Sequence, residues 1–311
     1  MASEPLPAAS RIEAEPHHRR TFNRVLYSVF IFKFTSFLYP YLGRRIFRWV
    51  SVAVSFIYAI TQHEIRRIVQ RNMQLLTTKK ITTKDALDLF VIFGATISDY
   101  VCSGNMPRKE AFALCEKCEG FEFINEAVKD GQGAILVTGH FGFFELGSLH
   151  LSEMGYQVAV VTLPEPRQNL TSWRTEFRSR WGAETIEIGD DLFSALKVVH
   201  SLQEGKLTAM LVDRPFGARA IPIDLPNGKA LFSPSPAIVA FASGRPVVPV
   251  IVTKMPNQNY VIEALGCIYP ERLPEGREAS IEVMTKKIAA ILVAKIAQHP
   301  KQWFQFVPLE I

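Results

Sequence analysis

The N-terminal part of this 311-residue chain is greasy but lacks a long uncharged run. A helix that crosses a membrane needs about 20 mostly apolar residues. The uninterrupted runs here, Val25–Phe32 and Val50–Ile60, are shorter, and Lys33, Pro40, Gly43, Arg44, Arg45 and Arg48 stand between them. No small-residue cleavage site follows the first run, so a signal peptide is not expected. Cysteine is scarce as well: Cys102, Cys115, Cys118 and Cys267 are the four. That excludes a disulfide scaffold and fits a reducing, cytoplasmic compartment. Cys115-x-x-Cys118 has no second pair and no neighbouring His in sequence, as a zinc framework would. The pair reads as incidental helical residues, and no metal is expected.

Several reaction signatures are missing too. There is no Gly-x-Ser-x-Gly nucleophile elbow, no His-Glu-x-x-His zinc motif, no P-loop and no Gly-x-Gly-x-x-Gly after a strand. Nothing resembles a nucleic-acid-binding motif. Any catalytic base would therefore work without an evident protein nucleophile, bound metal or nucleotide, and no bound cofactor is expected.

What is present is unevenly distributed. The composition is globular, 48% hydrophobic and 21% charged, with a formal net charge of +5. Residues 1–80 hold 13 Lys/Arg against 4 Asp/Glu, whereas the remainder holds 22 against 26. Basic and greasy together suggest an anionic membrane surface, where each Lys or Arg near the headgroups is worth about 1 kcal/mol. The chain divides into a loose tail over 1–20, basic apolar helices over 21–80, and an α/β domain over 81–311. For the second part, two interfacial or re-entrant helices flanked by arginines are the expected form. A single tilted span and a helical cap packed on the core are the alternatives.

From residue 83 the pattern is regular. Thr83-Lys-Asp-Ala opens a helix with Ala86, Phe90, Phe93, Ile97 and Val101 on one face, a core stripe. Helices continue to about Lys129. Strands are expected at Ala134–Thr138, Gln157–Thr162, Thr185–Ile188, Leu207–Val212, Pro246–Thr253 and Tyr260–Ala264. Helices fall between them and over Ser280–Gln298. This alternation predicts a mostly parallel central sheet flanked by helices.

The chemistry concentrates in Ala134-Ile-Leu-Val-Thr-Gly-His-Phe-Gly-Phe-Phe-Glu-Leu-Gly147. A buried strand ends at His140, where open α/β sheets hold their ligands. Glu145 follows five residues later, and from the first helical turn its carboxylate can swing back to the ring as the acid that orients a general base. Of the seven histidines only His140 has this setting; His63, His150, His200 and His299 fall in helical patterns. Leu211-Val-Asp-Arg-Pro-Phe-Gly217 places Asp213 and Arg214 past another buried strand, so they are candidates to face His140. Arg178 and Arg180 are candidates for phosphate or headgroup contacts.

His140-x4-Glu145 after an apolar strand resembles the His-x4-Asp/Glu motif of the lysophospholipid acyltransferase superfamily. Within it the chain looks most like the late lipid A (lauroyl/myristoyl) acyltransferase branch and the related phosphatidylinositol mannoside acyltransferases. Arg67–Leu76, Asn169 with Arg178–Gly182, Asp213-Arg214…Gly217, Ser233-Pro-Ser-Pro-Ala…Pro249 and Pro300-Lys-Gln-Trp303 recur in order. The resemblance implies a membrane-associated enzyme on the cytoplasmic face of the bacterial inner membrane. It implies acyl transfer from acyl carrier protein or coenzyme A to a hydroxyl of a glycolipid or related membrane lipid. It makes His140 the base and Glu145 its partner, with Asp213 a second acid and Arg178, Arg214, Phe141 and Gly142 the substrate contacts. An acyl thioesterase using the same pair and a non-catalytic lipid-binding protein are the alternatives. Pro222 and Asp224 depart from the branch, and the chain end lacks its second Trp; acceptor and acyl length stay open.

Overall fold

The computed structural model describes residues 29–163, 168–189, 192–215 and 219–309. The tail over 1–20, Pro164–Pro166, Asp190-Asp191 and Gly217 lie outside these. The chain enters through a helix, α1 (Val29–Thr61), broken at Gly43, whose φ of 69° no helix interior tolerates. Next come α2 (His63–Leu75) and α3 (Thr83–Ser103). Thr82 and Asp85 start α3 with a capping box, each side chain bonded to the other's backbone N–H. This helix is long and apolar enough to cross a membrane, but 67% of its apolar window is buried inside the fold. Ala86, Phe90 and Val101 are buried as the spacing predicted.

After α4 (Arg108–Phe112) the structure departs from the expected run of helices: Cys115–Glu119 is a strand, β1. It pairs in parallel with β9 (Tyr260–Ala264). Its charged, non-alternating sequence carries no strand signal, and pairing at a sheet edge outweighs local preference. Then follow α5 (Phe121–Ala127), β2 (Ala134–Thr138), α6 (Phe144–Glu153), β3 (Val158–Thr162), α7 (Gln168–Ser179), β4 (Ala183–Glu187), α8 (Leu192–Gln203) and β5 (Leu207–Leu211). A hairpin, β6 (Ile221–Leu225) and β7 (Gly228–Phe232), was not expected from the sequence. The fold finishes with α9 (Ser235–Ser243), β8 (Val247–Lys254), β9, α10 (Arg277–Ile296) and a 3₁₀ turn at Pro300–Gln302.

Seven strands form one sheet in the order β1-β9-β8-β2-β5-β3-β4. It is parallel except where β8 turns back into β9. The apolar run of β2 is central, and its alternate side chains feed two cores. Ile135 and Val137 join α8, α9 and α10 on one face, while Ala134 and Leu136 join α3, α6 and α7 on the other. Neighbouring strands β2 and β5 therefore send their chains to opposite faces: β2 leads into α6, and β5 leads through the hairpin to α9. A crevice must open beyond their C-terminal ends. His140 follows β2 and Asp213 follows β5, so topology alone puts both at that crevice.

The N-terminal helices are tied to this core by a buried carboxylate. Asp99 accepts from Arg44 Nε at 3.0 Å, Arg48 Nη2 at 2.9 Å, Lys254 Nζ at 2.6 Å and Tyr260 Oη at 2.8 Å. Burial would raise its pKa, but Lys254 and the two arginines outweigh that and hold it down. Two of the arginines expected at lipid headgroups thus point into the protein, leaving Arg45 exposed. Asp99→Asn would strand three cations, with the buried Lys254 the costliest at about 3–5 kcal/mol. We expect its Tm to fall by about 5–10 °C; an unchanged melting curve would remove this anchor from the account.

Candidate active site

Glycine begins the site. Gly139 leads out of β2, and a Cβ there would sit 2.8 Å from Asp213 Oδ2. Gly142 turns the chain with φ +53°, and a Cβ would collide with the Val252 carbonyl. Between them the backbone N–H of His140 donates to Asp213 Oδ2 at 2.8 Å, and its ring Nδ1 lies 2.7 Å from Asp213 Oδ1. One carboxylate thus fixes both the backbone and the ring of the histidine.

Asp213 accepts from two further donors. Trp303 Nε1 reaches its Oδ2 at 2.7 Å and Gln305 Nε2 the same oxygen at 2.6 Å. The side chain is fully buried. Burial pushes its carboxyl up, but the His140 ring, Trp303 and Arg214 outweigh it and bring the pKa to about 2. Asp213 is thus ionised at neutral pH, and the Nδ1 of His140 must carry the proton between them. The ring's own pKa is lowered, chiefly by desolvation against the pull of Asp213, with Arg214 and Arg174 adding to the fall. A neutral imidazole with Nδ1–H facing Asp213 leaves the Nε2 lone pair free to accept a proton. The ring is 23% exposed and borders a cleft of about 610 Å³.

In this structure Glu145 bonds to Arg178, while His140 is met by Asp213. Glu145 sits in the first turn of α6, where the helix dipole favours an anion. There Arg178 of α7 grips it with a fork, Nη2 to Oε1 at 2.5 Å and Nε to Oε2 at 3.1 Å. Burial would raise the Glu145 pKa; Arg178 outweighs it and holds the carboxyl ionised. The five-residue spacing that suggested a dyad instead sends the carboxylate along the helix toward α7.

The expected substrate contacts fare unevenly. Arg178 lines the cleft, but its guanidinium is engaged by Glu145 and, more loosely, by Thr185 at 3.4 Å. Arg214 also lines the cleft and donates to Gln305 Oε1 and the Phe304 carbonyl, both at 2.7 Å. Phe141 is fully buried and bridges to Trp303, so it belongs to the core. Gly142 gives its N–H to the Gln302 carbonyl at 2.9 Å. The amides of His140 and Phe141 are also bonded inside the protein, so none of these three is free as an oxyanion donor.

Two participants were missed in the sequence. Arg174 sits one helical turn before Arg178, lines the cleft and acts on both His140 and Glu145. Its i, i+4 spacing from Arg178 was the available signal. Gln305 carried no local signal, since it reaches Asp213 across 92 positions of chain. Asn72 holds that closing segment in turn, donating to the carbonyls of Gln305 at 3.0 Å and Val307 at 2.7 Å.

The buried Glu145–Arg178 pair makes a stability prediction. Glu145→Gln leaves a guanidinium uncompensated, which costs about 3–5 kcal/mol, whereas an apolar replacement of both partners costs far less. Thermal melts should show a clear loss for the single variant and partial recovery in Glu145→Gln/Arg178→Met. A double variant no better than the single one would contradict the pairing.

No curated protein matches the chain at a significant level. A His–Asp pair at the switch point of a mostly parallel sheet, beside a largely apolar cleft, is nonetheless accompanied by a match over nearly the whole length. The sequence model of the bacterial lipid A biosynthesis acyltransferases fits residues 17–309, and the chain belongs to that acyltransferase family.

Proposed function

We propose that the chain transfers a fatty acyl group from a thioester, of acyl carrier protein or coenzyme A, to a hydroxyl of a membrane glycolipid or related lipid. The observation that carries this reading is the His140–Asp213 pair, with Nε2 left free beside the cleft. His140 Nε2 takes the proton of the acceptor hydroxyl as its oxygen attacks the thioester carbonyl. The resulting imidazolium is stabilised by the Asp213 carboxylate through Nδ1–H. When the tetrahedral intermediate collapses, the C–S bond breaks and the imidazolium returns the proton to the departing thiolate. Products are the ester and the free thiol. Arg174 is a positive group lining the cleft and suited to the developing oxyanion or to an acceptor phosphate. Leu136, Leu151, Val160, Val161, Met210 and Val252 give the cleft an apolar wall fit for an acyl chain.

An exposed face of α1 supports contact with a bilayer. Ile46, Trp49, Val50, Val54, Ile57 and Ile60 are exposed on one helical stripe after the break at Gly43, and contiguous exposed apolar surface marks an interaction site. An interfacial helix lying in the headgroup region explains it.

Mass spectrometry of lipids incubated with the purified chain and acyl thioester should show one added acyl group. His140→Ala should lose about 10²–10⁴-fold in rate with the fold intact. Free fatty acid as the sole product would instead make the chain a thioesterase, and full activity of the variant would remove the base.

The pH dependence separates the two carboxylates. The working base is neutral, so activity is lost as pH falls through the His140 pKa. Since that pKa is lowered, the acid limb of kcat/KM should centre below 6.5. Asp213→Asn removes the charge that raises the ring's pKa and should move the limb lower still, with kcat down about 10²–10⁴-fold. Should Glu145→Gln move it and Asp213→Asn not, Glu145 would be the orienting acid after all.

A further inference from the structure

Away from the cleft, on the opposite side of α6, three ligand-type side chains meet. Cys115 Sγ lies 3.5 Å from Cys118 Sγ, and a ring nitrogen of His150 completes a group whose atoms all fall within 4.8 Å of one another. No histidine neighbours the Cys-x-x-Cys pair in sequence, and His150 is brought to it by α6.

The local backbone is shaped for this meeting. Residues three apart on a regular strand point to opposite faces. In β1 the pairing slips: Cys115 faces Tyr260, while Lys117 already faces Val261, so Glu116 is an extra, bulged residue. A bulge re-aims side chains. Here it turns both thiols to the face covered by α6, where they pack against the same core as Leu146 and Leu149. His150 projects from α6 with 4% exposure, and its Nδ1 is buried without a hydrogen-bond partner. Phe112 stacks on its ring at 3.8 Å. A buried orphan nitrogen is costly, and an ion is one of the few things that satisfies it.

We propose that Cys115, Cys118 and His150 bind one zinc ion, stapling the edge strand β1 to α6. Two thiolates and an imidazole are the soft and borderline donors that zinc selects, with water in the fourth tetrahedral position. Zn–S bonds of about 2.3 Å and Zn–N bonds of about 2.0–2.1 Å place ligand atoms about 3.4–3.8 Å apart in a tetrahedron. The sulfurs, 3.5 Å apart, are within about 0.3 Å of the spacing two zinc-bound thiolates take, and the imidazole needs a shift of at most about 1.3 Å. Binding releases two protons, one from each thiol, and the two thiolate charges neutralise Zn²⁺, which suits a half-buried site.

The test uses the full chain, purified under reducing conditions and stripped of metal. Adding zinc against a competing chromophoric chelator should give one tightly held ion per chain and a higher Tm. Cobalt(II) in its place should give a thiolate-to-metal charge-transfer band. Cys115→Ser, Cys118→Ser and His150→Gln should each weaken zinc by more than the about 10–100-fold that loss of an outer-shell partner costs. Cys267→Ser and His140→Ala should bind as the parent does. No zinc uptake by the folded parent chain, or uptake that survives all three ligand substitutions, would overturn the site. So would a Cys115–Cys118 disulfide that forms in air at the same rate with and without zinc.

Discussion

Everything at the crevice depends on keeping one carboxylate charged inside the protein. Taking an ion such as Asp213 out of water costs several kcal/mol unless its lone pairs are filled. The fold supplies four donors: the backbone and ring of His140, the indole of Trp303 and the amide of Gln305. Two of these come from the strand next door and two from the closing segment. The imidazole is one of the four, so its orientation follows from charge solvation. The catalytic geometry and the stability of the crevice are therefore the same set of bonds.

The closing segment acts as a clasp. The Phe304 N–H bonds the His140 carbonyl at 2.8 Å, and the Gln302 side chain pairs with both backbone groups of Lys254 at 2.8 Å. Asn72, from α2, holds it from the far side. A second buried carboxylate, Asp99, ties α1 to β8 and β9. The N-terminal helices are thus fastened at two points to the sheet that carries the site, while α1 keeps an apolar stripe exposed.

The sequence revealed whatever depends on periodicity or on a strand tip. The β2 run and its histidine, the strands β3, β5, β8 and β9, the α3 stripe and Asp213 opposite His140 were all readable, because burial on both faces leaves a continuous apolar signature. Partnership was not readable. Glu145 and Asp213 are equally plausible neighbours of His140 in one dimension. Only the placement of Arg178 on α7 draws Glu145 away, and that is a matter of how two helices pack. Edge elements were obscure for a related reason: β1 has no apolar alternation, and its existence rests on its pairing with β9. Its cysteines could not be connected to His150 before α6 was laid across that face.

The order of synthesis gives the clasp a further meaning. β2 and β5 leave the ribosome well before Trp303 and Gln305, so for that interval Asp213 lacks half its donors and the ring it holds lacks a fixed partner. The crevice can assemble only after residue 305 has been made. A chain shortened before Trp303 would hold His140 and Asp213 without two of the donors that keep the carboxylate in place. The fixing of the histidine is in this way made conditional on the segment through residue 305.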